Sequence, residues 1–124
     1  IERATGEFVG VTSLHSIDWS VPRMEIGYWC CTSFTGRGFV TEAVRAVTRF
    51  AIDHLGAERL EIRCDALNLP SNRVAERAGF ELEGTLRNGD MRLDGSLEDT
   101  RVYSMIPARF KRLAFPLIRI AADW

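Results

Sequence analysis

A basic surplus is missing from this chain: 16 Lys+Arg stand against 17 Asp+Glu in 124 residues, a formal net charge of −1. That excludes the positive excess on which a dedicated nucleic-acid binder relies. Cysteine is scarce. Cys30, Cys31 and Cys64 are an odd set with two neighbours, so neither a disulfide framework nor a spaced metal-ligand pattern can be drawn. The expectation is no metal and a reducing, cytosolic setting. Long hydrophobic runs are also lacking, because the stretch from Leu113 to Ile118 is broken by Pro116 and falls far short of the roughly 20 residues that cross a bilayer. No charged and then apolar leader opens the chain and its first residue is Ile, so no secretory signal is read and the start reads as the interior of a longer protein. With 46% apolar and 27% charged residues, 124 residues suffice for one soluble domain.

Periodicity orders the elements. Phe8, Val9, Val11 and Leu14 alternate through Glu7–Ile17 as a first strand, and the aromatic, β-rich Met24–Cys31 is a second, with Gly27 in its middle marking a bulge or a close approach to the backbone. Ser33–Gly38 is a glycine loop. Thr41–Leu55 then places Val44, Val47, Phe50, Ala51 and Leu55 on one helical face, with Gly56 as the stop. Leu60, Ile62 and Cys64 alternate with charged residues along Arg59–Asp65, a strand with one wet face. Asn68–Pro70 turns the chain, Ser71–Ala78 is a short helix ended by Gly79, and Phe80–Leu86 and Thr100–Ile106 are two strands joined by a turn-rich connection holding Gly89, Asp94 and Gly95. Strand, strand, helix, strand, helix, strand, strand predicts an α/β fold with a mixed sheet.

A glycine loop between a strand and a helix offers free backbone N–H groups and the positive helix end to an anion. Gly36, Arg37, Gly38, Phe39, Val40 and Thr41 form the candidate cradle, although two glycines between elements also make an ordinary turn. Further along, Asn68, Ser71, Val74, Glu76, Gly79 and Phe80 are spaced N-x-x-S-x-x-V-x-E-x-x-G-F. Asn68 and Ser71 are natural helix caps, and Val74 and Phe80 natural core residues.

Taken together, GYW before the loop, TGRGFVTEAV within it and NLPSNRVAERAGFELEGTLR after it resemble the GNAT acetyltransferases, and within them the branch that acetylates ribosomal-protein N-termini. The resemblance runs from about Glu7 to Ile106. It implies a GNAT-like mixed, largely antiparallel sheet flanked by helices, in which residues 1–106 are the acetyltransferase core and 107–124 a basic amphipathic tail. It further implies acetyl-CoA as co-substrate, with its diphosphate on the amides of Gly36–Thr41 and Arg37 as a nearby cation. Thr35 and Val40 stand where the family usually has Gln or Arg and Gly or Ala, so Val40 is expected to crowd the diphosphate; Gly38, the central glycine, is retained. Asn68 would contact the pantetheine arm, Ser71 would lie near the thioester sulfur, and Asn72 and Arg73 would face the 3′-phosphate end.

Acetyl transfer to an amine needs a neutral amine, a polarised carbonyl and a stabilised thiolate. The resemblance puts the base at Asp90, with Glu83, Glu25 and Asp99 as rivals and each also readable as a surface carboxylate. His15 lies on a strand outside the motifs and His54 at a helix end, so neither is favoured. Backbone N–H groups around Tyr28, Trp29 and Cys30 would hold the carbonyl, with Tyr28 and Trp29 walling the pocket or filling core. The second helix lacks the Tyr that many relatives use on the thiolate, and Ser71 is the substitute. Cys64 reads as a buried hydrophobe rather than an acetyl carrier. Relatives generally begin with a strand and two helices that wall the acceptor groove, and this chain starts after them. The acceptor is read as a primary amine, foremost a protein N-terminal α-amine. Small-amine acetylation, a catalytically silent acetyl-CoA-binding module and a homodimerisation role for the basic tail remain alternatives.

Overall fold

The computed structural model describes residues 10–30 and 36–113. Five strands and three helices follow in the order β1 (Gly10–Asp18), β2 (Arg23–Cys30), α1 (Gly36–His54), β3 (Arg59–Asp65), α2 (Leu69–Arg77), β4 (Glu81–Met91), β5 (Leu97–Met105) and α3 (Pro107–Leu113). One sheet has the strand order β1-β2-β3-β5-β4. Its β1–β2, β3–β5 and β5–β4 junctions are antiparallel, and β2–β3, joined through α1, is parallel. The expected mixed, largely antiparallel sheet is what forms.

Strand alternation sorts the sheet into two faces. Met24 and Ile26 of β2, Leu60, Ile62 and Cys64 of β3, and Tyr103 and Met105 of β5 turn to one side, where they pack with Val40, Val44 and Ala51 of α1, Val74 and Ala75 of α2 and Phe110 of α3 in a single core. The tail's first seven residues thus form α3; the guanidinium of Arg49 stands 5.2 Å from the centre of the Phe110 ring, and Arg109 Nε donates to the Gly79 carbonyl at 2.8 Å. Residues 114–124 lie outside the described residues.

The other face is wet and charged. Arg59 grips both oxygens of Glu83 at 2.8 Å and reaches Glu61 at 2.8 Å, and Ser104 Oγ donates to Glu83 at 2.5 Å.

The largest departures from the sequence reading fall at the start of α1 and in the β4–β5 connection. The helix begins at Gly36 rather than Thr41, because the glycine segment continues the helical backbone instead of looping before it. Its buried stripe is then Val40, Val44, Thr48 and Ala51, and Phe50, one residue off that stripe, is half exposed beside the His54 ring. The β4–β5 connection is shorter than the turn residues implied. Gly89 lies inside β4 beside a bulge, where a side chain would meet Thr100 Oγ1 at 2.9 Å, so it answers a close approach and not a turn. The turn proper is Arg92–Ser96, in which Asp94 Oδ1 accepts from Ser96 N–H.

Arg59 first, and then Ser104, hold the Glu83 carboxyl down at about 2 against an ordinary 4.5. A carboxyl whose pKa is lowered on folding contributes stability that is complete above its unfolded value and disappears as the pH falls through the folded one. Urea unfolding between pH 5 and 2 is therefore expected to show a steeper loss of stability for the parent than for Glu83→Gln. Parallel curves would contradict the assignment.

Candidate active site

The site begins where parallel pairing stops. Arg23, Met24 and Glu25 of β2 register with Arg59, Leu60 and Glu61 of β3, and beyond Glu25 the described register between these strands ends. From Ile26 onward β2 stays paired only to β1, as far as Cys30 opposite Gly10. Main-chain groups on the β3 side of β2 are thereby freed, six residues before α1 opens with Gly36, Arg37 and Gly38. The first four N–H groups of a helix have no partner within it and carry the positive end of its dipole. This donor set, unpaired strand amides followed by a helix N-terminus, fits a thioester carbonyl and a diphosphate.

Val40 is 2% and Thr41 5% exposed. Val40 points into the core, so it does not crowd an anion at the helix end. Phe39 is half-buried. The side chains of Trp29, Cys30 and Arg37, and all of Thr35, lie outside the described residues.

Tyr28 turns to the helix side and crosses the gap between the strands. Its hydroxyl donates to the Ser71 carbonyl at 2.5 Å and stands 3.7 Å from Cys64 Sγ, while Ser71 Oγ donates to the same sulfur at 3.5 Å. Burial, and then the neighbouring Cys64, push the Tyr28 phenol well above its ordinary value of 10, so it remains a donor throughout the working pH range. Cys64 is 4% exposed and its thiol is likewise pushed up by burial, which fits the expected buried hydrophobe.

The start of α2 is fixed by asparagines. Asn68 caps the helix, its Oδ1 accepting from Ser71 N–H at 3.2 Å, while the Ser71 hydroxyl turns to Cys64 rather than capping. Asn72 overturns the reading that it faces the 3′-phosphate. It is 3% exposed, donates through Nδ2 to the Asp65 and Asn68 carbonyls at 3.0 and 2.8 Å, and accepts from Tyr103 OH at 2.8 Å. Its amide ties the β3–α2 turn to the core, and Arg73 beside it is exposed.

Asp90 is exposed on β4, opposite Glu98, with β5 and β3 between it and β2. The end of its hairpin is drawn to β3 by Arg92, whose Nε and Nη2 reach Asp65 at 2.6 and 3.1 Å and whose Nη1 donates to the Leu97 carbonyl at 2.9 Å. This pair spans 27 residues, and no sequence signal announced it. Among the rival carboxylates, Glu83 is a weak proton acceptor in the grip of Arg59, Asp99 accepts the Asn88 N–H, and Glu25 lies opposite His15. His15 itself was passed over for lying outside the motifs, yet its ring rests on Gly27. Among the described residues no group of three or more His, Cys, Asp or Glu is placed to hold a metal, and no helix is long and apolar enough to cross a membrane.

A freed strand edge, a helix N-terminus six residues on and hydroxyls across the gap are chemically suited to an acylated, phosphate-bearing carrier. The sequence model of the family described as "Acetyltransferase (GNAT) domain" matches residues 1–81. Ribosomal-protein-serine acetyltransferase of Escherichia coli (strain K12) is 34% identical over 100 residues, which are 81% of this chain and 55% of that protein. Among solved structures, the microcin C7 self immunity acetyltransferase MccE in complex with acetyl-CoA and AMP is 36% identical, with a TM-score of 0.72 over 79% of this chain and 54% of that one. RimL, a ribosomal L7/L12 alpha-N-protein acetyltransferase in complex with coenzyme A, is 32% identical, with a TM-score of 0.73 over 82% of this chain and 56% of that one. The chain belongs to the GNAT acetyltransferases, and it spans about half the length of the curated relatives it matches.

Removing the Tyr103 hydroxyl leaves Asn72 Oδ1 buried without its donor, which costs about 1–3 kcal/mol. Tyr103→Phe is expected to lower stability by that amount in urea unfolding. An unchanged midpoint would show that the amide does not need this partner.

Proposed function

We propose that this chain carries the acetyl-CoA site of an N-acetyltransferase whose acceptor is a primary amine, foremost the α-amine of a protein N-terminus. The observation that carries the reading is the parting of β2 from β3 directly ahead of the α1 N-terminus. Acetyl-CoA supplies the acetyl group as an activated thioester. In this reading the amides of Gly36, Arg37 and Gly38 take the diphosphate, with Phe39, Val40 and Thr41 continuing the helix whose positive end backs them, those around Tyr28, Trp29 and Cys30 polarise the carbonyl, and Asn68 and Arg73 line the cofactor's course. Ser71 is the hydroxyl nearest the departing sulfur, and Asp90 the carboxylate that draws protons through water. A cytosolic setting agrees with the free thiol of Cys64.

Chemistry and kinship favour the α-amine. Neutralising an α-amine of pKa near 7.8 at pH 7 costs about 1 kcal/mol, against about 4.6 for a lysine. A site whose carboxylates are exposed or held low suits the easier substrate. The name of RimL carries an alpha-N acceptor on a ribosomal protein, and that of the Escherichia coli relative a ribosomal protein, which supports the same class.

Two measurements test this. Saturating acetyl-CoA at about 100 times its Kd adds about 2.7 kcal/mol of stability, a rise of several degrees in Tm, and dephospho-CoA serves as the comparison. Thiol release with amino-terminal peptides is expected to exceed that with polyamines or aminoglycosides, and Ser71→Ala is expected to slow release while sparing the Tm shift. A preference for the small amines would overturn the acceptor class. A Tm shift without release for any amine would point to a silent binding module instead.

A further inference from the structure

We propose that His15 is a catalytic residue, the base that takes the proton from the acceptor nitrogen; this rests on the acetyltransferase reading above. β1 runs regularly against β2 up to the pair His15–Glu25 and then breaks register before Asp18. Within that break Ser16 adopts φ 52°, a left-handed conformation uncommon for a residue with a side chain. Bulges of this kind re-aim a side chain and recur beside active sites.

Here the bulge follows an imidazole laid over a glycine. His15 Nε2 and Cδ2 lie 2.8 and 3.3 Å from the point a Cβ on residue 27 would occupy, so the ring in this position fills the space that the missing side chain of Gly27 leaves. Nδ1 is 3.2 Å from Ser16 Oγ, and in the tautomer that donates Nδ1–H to this oxygen, Nε2 presents its lone pair. Gly27 is the second residue of β2 past the last pair with β3, immediately before the stretch assigned to the acetyl carbonyl. The hydroxyls of Tyr28 and Ser71 occupy the helix side of the sheet and His15 the wet side, so leaving-group and proton-acceptor groups approach the same stretch from opposite faces.

A cavity of about 200 Å³ opens on the wet side, lined by Ser16, Arg23, Met24, Glu25, Glu61 and Arg63. Glu25 of β2 stands opposite His15 in the strand register, and Arg23, Glu61 and Arg63 line the cavity that begins at its neighbour Ser16. As the acceptor nitrogen bonds to the acetyl carbon, the carbon–sulfur bond breaks with its electron pair on sulfur. The proton lost by nitrogen passes to Nε2 and on to solvent, to which His15 is exposed. Asp90 lies two strands beyond β3 and serves this step only at longer range.

The test is steady-state thiol release in the full chain with its acceptor peptide, for the parent, His15→Ala and His15→Gln. General-base loss lowers kcat by roughly 10²–10⁴-fold. KM for acetyl-CoA and the Tm shift with acetyl-CoA are expected to hold, and free imidazole to restore much of the His15→Ala rate. Rates within twofold of the parent would overturn the assignment, as would loss of the Tm shift in both variants or failure of imidazole to restore the rate, since those mark a packing role. If the parent itself releases no thiol with any amine, the acetyltransferase reading fails and this inference with it; an active parent with equally active variants defeats this inference alone.

Discussion

The parallel junction between β2 and β3 holds for three residue pairs and no further, and the placement of nearly every group in the site depends on that early end. Had the ladder continued past Glu25, the amides of β2 would be spent on β3 and Tyr28 would have no gap to cross. Because it stops, β2 carries a free edge toward the start of α1, whose first amides have no partner inside the helix. Two kinds of unspent main-chain donor thus fall in sequence along one short stretch of chain, which is the arrangement a carbonyl followed by a diphosphate requires.

A gap in a sheet must be held open by something other than the sheet. Tyr28 spans it with a hydrogen bond to the Ser71 carbonyl, and burial keeps that phenol protonated, so the bridge does not open with pH. The far bank is fixed by Asn72, whose amide joins the Asp65 and Asn68 carbonyls to the Tyr103 hydroxyl in the core. Arg92 then fastens the β4–β5 hairpin to Asp65, bringing the strand that bears Asp90 toward the same turn. These contacts converge on the end of β3, the β3–α2 turn and the first turn of α2.

The sequence made some of this plain. Leu60, Ile62 and Cys64 alternate with charges and are buried as that pattern requires, and Gly56 and Gly79 follow the helices they were expected to stop. The kinship was readable because its motifs are backbone devices, a glycine pair and a capping asparagine, that survive change around them. What stayed hidden depends on geometry across strands. The resemblance turns Asn72 toward the 3′-phosphate, because helix period alone does not say which asparagine meets a buried tyrosine 31 residues away. His15 looked incidental because its significance comes from Gly27 on the neighbouring strand and from a bulge that no composition signals. Gly89 imitated a turn residue when the constraint was Thr100 pressing from β5.

The account's central claim is that the freed edge of β2, the first turns of α1 and the β3–α2 turn form one acetyl-CoA site. Amide hydrogen exchange with and without acetyl-CoA tests it most directly, since exchange reports local opening along the backbone. Slowed exchange concentrated in residues 26–30, 36–41 and 68–73, with β1 and the β4–β5 hairpin little changed, is the predicted result. Protection centred elsewhere, or none at saturating ligand, would contradict it.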